Sequence, residues 1–255
     1  MNRINKIQSI RDTLKKGGPS IGSWIQLPCA SVAEIMGQSG YEWVAVDMEH
    51  GSITASQLPD LFRALELGNT LPLARLIEGN QKECKQVLDA GAGGVIVPMV
   101  ETAEQLEKIR LACSWPPSGT RGVGFSRANL FGKHFSSYSL EAQKPLLIAM
   151  IEHVRAVGNL NEILSVQGLD AILVGPYDLS ASMGITAQFD NPEFIEIMSK
   201  IKLLCKSANI ASGIHVVAPS PIQLLDRIKE GYQFIAYSLD SVFLEKSAIC
   251  PDLKG

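Results

Sequence analysis

The sequence predicts an α/β protein of the (β/α)8-barrel class, folded as one domain over residues 1–255. Three observations point that way. Eight short apolar runs recur along the chain, with no polar alternation inside them. Amphipathic stretches with apolar residues three and four apart separate the runs. The length of 255 residues suits one such barrel. An open doubly wound sheet is the runner-up topology. No GxGxxG follows the first run, so a dinucleotide-binding version of it has little support.

The elements follow in order. Met1 to Lys16 is a polar, mixed-charge, helix-like stretch that lacks the apolar core of a signal peptide. The first strand is expected at Ile21-Gly22-Ser23-Trp24-Ile25-Gln26-Leu27 and the second at Trp43-Val44-Ala45-Val46-Asp47-Met48. The third and fourth are Leu71-Pro72-Leu73-Ala74-Arg75-Leu76 and Gly94-Val95-Ile96-Val97-Pro98-Met99. Leu146-Leu147-Ile148-Ala149-Met150-Ile151 and Asp170-Ala171-Ile172-Leu173-Val174-Gly175 give the fifth and sixth. The runs 210–217 and 233–238 complete the eight. Continuous apolar runs suit strands covered on both faces, as in a parallel sheet. Helical patterns cover 31–39, 56–66, 82–90, 103–113, 156–165, 192–207 and 221–230. Thr102, Asn191 and Ser220 stand where they can cap first turns. Gly40, Gly68, Gly91, Gly168 and Gly231 stand near helix ends. The connection 115–144 is long and rich in proline and glycine, which marks it as functional or mobile.

Composition excludes several classes. Hydrophobic residues make up 46% and charged residues 19%, the balance of a globular protein with a large core. The net charge is -3, and no Lys/Arg cluster suggests a nucleic-acid surface. No run approaches the roughly 18 apolar residues of a membrane span. A cytoplasmic location is expected. The five cysteines, Cys29, Cys84, Cys113, Cys205 and Cys250, form no CxxC pair and read as small, mostly buried apolar residues.

Barrel chemistry sits at strand C-termini, and those positions carry a polar set in this chain. Asp47, Glu49 and His50 follow the second run, and Arg75 ends the third. Glu152 and His153 follow the fifth run; Gly175, Pro176, Tyr177 and Asp178 follow the sixth. Glu152 and Asp178 are hard oxygen donors. Two carboxylates, waters and a chelating substrate make the octahedral shell of Mg²⁺ or Mn²⁺. The alternatives are that Glu152 pairs with a barrel arginine and that Asp178 caps a following helix. His50, three residues after Asp47, suits acid/base work with Asp47 fixing its tautomer, or is a loop histidine bonded to a backbone carbonyl. Arg75 offers a fork for a substrate carboxylate, or an interior salt bridge with Asp47 or Glu49. His215 reads as a packed polar residue and His153 as structural or supporting.

Five segments together resemble one family. Val46-Asp47-Met48-Glu49-His50-Gly51 resembles the D-x-E-H motif of the HpcH/HpaI aldolases, and Val174-Gly175-Pro176-Tyr177-Asp178-Leu179-Ser180 resembles their G-P-x-D-L-S motif. The segments 72–75, 93–99 and 119–124 match in kind and order. The resemblance implies a phosphoenolpyruvate/pyruvate-type TIM barrel, assembled as a homo-oligomer (hexamer or trimer) with a swapped C-terminal helix. It implies Mg²⁺, Mn²⁺ or Co²⁺ on Glu152 and Asp178, with pyruvate chelating the metal. It makes Arg75 the contact to the 2-oxo acid, and His50, backed by Asp47, the acid/base. Gly175 and Pro176 would border the substrate carboxylate, and Trp24 and Gln26 would wall the pocket. The implied activity is a class II pyruvate-dependent aldolase, an aldehyde-lyase for 4-hydroxy-2-oxo acids. Citrate-synthase-like condensation, decarboxylation or a catalytically silent barrel are the alternatives. No lysine lies in the eight runs, which speaks against a Schiff-base route. His153, Tyr177, the 125–126 pair and the 237–239 stretch depart from the usual pattern and bear on the acceptor aldehyde.

Overall fold

The structure is a computed structural model that describes residues 1–250. Eight parallel strands close into a barrel in chain order. They are β1 (Ser20–Ile25), β2 (Trp43–Asp47), β3 (Leu71–Arg75), β4 (Gly94–Val97), β5 (Leu146–Ile151), β6 (Ala171–Val174), β7 (Ala211–Val216) and β8 (Phe234–Leu239). β8 returns to pair with β1, so no sheet edge is left open. The expected fold class is the observed one.

The strand pleat divides the apolar runs between two cores. Val44, Val46, Val95, Val97, Ile172 and Val174 point outward and pack under the surrounding helices. Trp43, Ala45, Leu71, Leu73, Ile148 and Leu173 point inward and fill the barrel. This is why the runs lack polar alternation: both faces are buried. The N-terminal helix Arg3–Lys15 adds Ile7, Ile10 and Leu14 to the inner core, closing the barrel at the strands' N-terminal end. There the Trp43 and Phe234 rings stack at 4.2 Å with 2° between their planes. Gly22 of β1 faces this pair, and a Cβ there would fall inside the Trp43 indole.

The expected caps are present. Thr102, Asn191 and Ser220 each accept a backbone N–H from the first turn of their helix. Gly91 ends its helix at φ 110°, a left-handed conformation suited to glycine. One local expectation is corrected, and two connections carry further elements. The helix expected over 156–165 is two short ones, Val154–Gly158 and Leu160–Leu164, broken at Asn159, whose side-chain amide donates to Glu101 O at 2.9 Å. The connection 115–144 contains a 3-10 turn, Arg127–Asn129, and a helix, Phe135–Ala142. It is held by its own small core of Trp115, Ala128, Tyr138 and Ala142. A further helix, Pro176–Ser182, starts directly after β6 with proline in its first turn.

Gly22→Ala is expected to lower unfolding free energy by about 1–3 kcal/mol, because the core must shift around the added methyl. A urea midpoint that falls with unchanged slope would show it. An unshifted midpoint would mean that the Trp43 ring has room to move.

Candidate active site

Pleat parity carries the inner positions upward into polar residues. Trp43 and Ala45 lead to Asp47, Leu71 and Leu73 to Arg75, and Ile148 and Met150 to Glu152. Ala171 and Leu173 lead to Gly175; Ala211 and Gly213 lead to His215. Asp47, Arg75, Met150, Glu152, Gly175 and His215 line one cavity of about 250 Å³ at the strand C-termini, together with Trp24, Gln26, His50, Pro176, Tyr177 and Asp178. Every residue singled out from the sequence for catalysis, substrate or metal therefore faces this cavity. No lysine is among its lining residues.

One wall is built on Asp47 and Arg75, which are cross-strand neighbours in β2 and β3. Arg75 Nε donates to Asp47 Oδ1 at 2.9 Å and Nη2 to Oδ2 at 2.6 Å. Gln26 Nε2 donates to Asp47 Oδ2 at 2.9 Å. Burial opposes ionisation of Asp47, but the Arg75 hydrogen bonds and charge outweigh it and hold the carboxyl below its usual range. Arg75 also packs over the Trp24 ring, 4.8 Å from its centroid, and Nη1 lies 3.1 Å from Glu49 Oε2. That oxygen is buried and makes no hydrogen bond.

Asp47 holds His50 by a different atom from the one expected. The carboxylate accepts the backbone N–H groups of Glu49 and His50, at 3.1 and 3.2 Å. The imidazole is instead 60% exposed, with Nε2 3.9 Å from Glu49 Oε2. The physical reason is local. The chain turns sharply after β2, so Asp47 caps that turn and His50 is carried over the cavity mouth. The expectation that Asp47 fixes the His50 tautomer is thus corrected: Asp47 fixes the His50 backbone.

The opposite wall carries Glu152 and Asp178. Glu152 Oε2 accepts the Met99 N–H at 2.8 Å, and Met99 has φ 48°, an uncommon conformation for a non-glycine residue. A Cβ on Gly175 would lie 2.5 Å from Glu152 Oε1, so this carboxylate needs glycine beneath it. Burial, followed by the charges of Glu49 and Asp178, raises the Glu152 carboxyl to about 7. Asp178 lies in the first turn of the Pro176–Ser182 helix, but Gly175, not Asp178, is the cap. No group of three or more His, Cys, Asp or Glu suited to a metal occurs among the described residues. The two carboxylates expected to hold a metal, Glu152 and Asp178, both line the cavity. The pair fits a hard divalent cation on electrostatic grounds: with Asp47 they share the cavity with a single guanidinium, Glu49 stands beside that guanidinium, and burial raises both Glu49 and Glu152.

His215 is a packed polar residue, as its sequence position suggested, and it also lines the cavity. Its Nε2 donates to Ser238 O at 3.3 Å, and burial lowers its pKa to about 4, so the ring is neutral. His153 Nδ1 accepts the Arg155 N–H at 3.1 Å and caps a helix. Sequence reasoning passed over Asp240. Its carboxylate accepts the Gln26 and Leu27 N–H groups, both at 2.9 Å, and Ser241 Oγ donates to Gln26 Oε1 at 3.1 Å. The signal was available, since Asp240 directly follows the last strand. The long connection 115–144 contributes nothing to the cavity lining.

Fold and site together define a (β/α)8-barrel enzyme with a carboxylate-rich active face. The HpcH/HpaI aldolase/citrate lyase family profile matches residues 20–246, and the chain belongs to that family, whose enzymes include the class II aldolases. The chain is 36% identical over 235 residues to a 2-keto-3-deoxy-L-rhamnonate aldolase of Escherichia coli, covering 91% of this chain and 87% of that one. It is similar in structure to an HpcH/HpaI aldolase/citrate lyase family protein from Burkholderia cenocepacia, with TM-score 0.87, 28% identity, and 94% and 96% of the two chains covered. It is also similar to a citrate synthase, SbnG, with TM-score 0.78, 27% identity, and 93% and 94% covered.

The Glu152 environment has a pH consequence. A folded-state pKa raised from 4.5 to about 7 stabilises the fold fully below 4.5, and that contribution is lost as pH rises through 7. In chelator, the wild type is expected to lose stability relative to Glu152→Gln between about pH 5 and 8, on the order of 1–3 kcal/mol. Parallel denaturation curves for the two proteins at all pH values would refute the assignment.

Proposed function

We propose that the protein is a metal-dependent class II aldolase that forms or cleaves 4-hydroxy-2-oxo acids, using pyruvate or a close 2-oxo acid and a short aldehyde. One observation carries the reading. A fixed guanidinium, Arg75, and a pair of carboxylates, Glu152 and Asp178, line a single cavity that contains no lysine. The similarity to a 2-keto-3-deoxy-L-rhamnonate aldolase supports it, since that name denotes a 4-hydroxy-2-oxo acid substrate.

Glu152 and Asp178 would hold the divalent cation (Mg²⁺, Mn²⁺ or Co²⁺), which when bound supplies Lewis-acid polarisation of the 2-oxo group. Arg75, held in place by Asp47, presents its charge where negative charge develops on the 2-oxo acid. It needs no reorganisation to do so, because its fork is already fixed. Gly175 and Pro176 border the carboxylate of the 2-oxo acid, where the first N–H groups of the Pro176–Ser182 helix begin. Trp24 and Gln26 wall the donor end. His50, exposed at the mouth, moves the proton at the aldehyde oxygen: on to it in condensation, off the 4-hydroxyl in cleavage.

The same reading makes the protein a homo-oligomer, trimer or hexamer, with its C-terminal helix exchanged between subunits, acting in the cytoplasm. Helix Asp240–Ser247 buries only Asp240 and leaves Leu244 exposed, as is Ile249 just beyond it, which supports that exchange. A second reading, citrate-synthase-like condensation, draws on the likeness to SbnG. The small cavity favours pyruvate and a short aldehyde over a bulky thioester donor.

Deuterium exchange into the pyruvate methyl group, followed by NMR, tests the enolate step. Exchange is expected with Mg²⁺ or Mn²⁺ and not with chelator. A folded protein that gives none with any divalent metal would leave condensation on another donor or a silent barrel. His50→Ala is expected to lower aldol cleavage by about 10²–10⁴-fold while Mn²⁺ binding by calorimetry persists. Equal loss of both would remove the acid/base role from His50.

A further inference from the structure

Tyr177 is the second residue of the Pro176–Ser182 helix, between the cavity-lining Pro176 and Asp178. Its ring meets Phe189 edge-on, with centroids 5.1 Å apart and planes at 86°. Phe189 in turn packs on the buried Phe194 at 5.5 Å. The tyrosine is therefore braced from outside the cavity.

Behind it lies a second cleft of about 480 Å³, over β7 and between the helices Pro192–Ala208 and Pro221–Lys229. Pro176, Tyr177, His215 and Val217 line both spaces, and Tyr177 is the largest of the four. The cleft lining includes the apolar Phe189, Ile195, Met198 and Val216, with Lys202, Arg227 and Glu230 also on it. The catalytic cavity is smaller, about 250 Å³, and on the aldolase reading it holds the 2-oxo acid as well as the acceptor.

We propose that Tyr177 is a specificity-determining residue: its ring is the wall between the catalytic cavity and the apolar cleft, and it holds the acceptor to short aldehydes. This rests on the aldolase reading of the site. With the ring present, the carbon chain of a longer aldehyde is kept out of the cleft. With the ring removed, the chain enters the cleft and gains apolar contact there. Rejection or acceptance of a single methylene in such a pocket is worth about 10–200-fold in kcat/KM.

The test compares hexanal with acetaldehyde in pyruvate condensation, as the ratio of their kcat/KM values, for the wild type, Tyr177→Ala and Tyr177→Phe. A ratio cancels any general loss of activity. Tyr177→Ala is expected to raise it at least about tenfold. Tyr177→Phe, which keeps the ring, is expected to keep the wild-type ratio. An unchanged ratio in Tyr177→Ala overturns the proposal, and so does an equal rise in both variants, which would assign the effect to the hydroxyl. Tyr177→Leu, which retains an apolar side chain beside Phe189, runs alongside should the alanine variant fail to fold. Pyruvate methyl exchange is read on every protein. Exchange with a flat ratio refutes the wall alone. No exchange in the wild type refutes the aldolase reading, and the wall with it.

Discussion

The active face depends on the buried fork between Arg75 and Asp47. Both residues sit at the ends of neighbouring strands, in register, with side chains turned into the barrel. Taking two charges out of water costs several kcal/mol per ion unless geometry and further hydrogen bonds recover it. Here they do. Asp47 accepts two hydrogen bonds from Arg75, one from Gln26 and two from the backbone of the following turn. One carboxylate thereby ties together the ends of β1, β2 and β3. Gln26 is fixed in turn by Asp240 and Ser241 across the β8 end. Removing either partner of the fork would leave a buried charge and release all of these segments at once.

The opposite wall has the reverse character. Glu152 is buried beside two other acids, Glu49 and Asp178, with one backbone N–H to stabilise its charge. Met99 takes a left-handed backbone conformation at the point where it supplies that N–H, and the glycine at 175 leaves room for the carboxylate. Local strain and a missing side chain thus serve a group that is unfavourable where it stands. Such an arrangement is stable with a proton or a cation on the acid side. The fixed guanidinium cannot fill that role, because its fork is already committed to Asp47.

Much of this was legible in the sequence. The period of two inside each strand predicts which residues look inward, and continuing it by one step reaches Asp47, Arg75, Glu152, Gly175 and His215. Strand ends could be read because the closed barrel leaves them one place to converge. The contacts made by turns could not. Three residues separate Asp47 from His50 in sequence, and whether the carboxylate meets the ring or the backbone depends on the turn's dihedral angles. The break at Asn159 was hidden for a related reason: the apolar spacing continues through it, while a bond to Glu101 in another segment interrupts the helix. Asp240 could be placed at the last strand end, but its partners, backbone N–H groups more than two hundred residues earlier, could not.

The two ends of the cavity are therefore built from different material. In the proposed aldol reaction the donor end rests on Asp47, Arg75 and Glu152, placed by strand pleat and register and held by hydrogen bonds, with Asp178 added from the short helix after β6. The acceptor end consists of His50 on a turn, Tyr177 on a short helix and Val217 just past β7. Substituting a strand residue such as Arg75 disturbs the barrel that holds every other site residue. Substituting Tyr177 disturbs a half-exposed ring and its contact with Phe189. On the proposed aldolase reading, chemistry on the 2-oxo acid is tied to the fold, whereas the choice of aldehyde is tied to residues the fold can spare. A barrel divided in this way can change acceptor by substitution at its rim and leave the enolate chemistry in place.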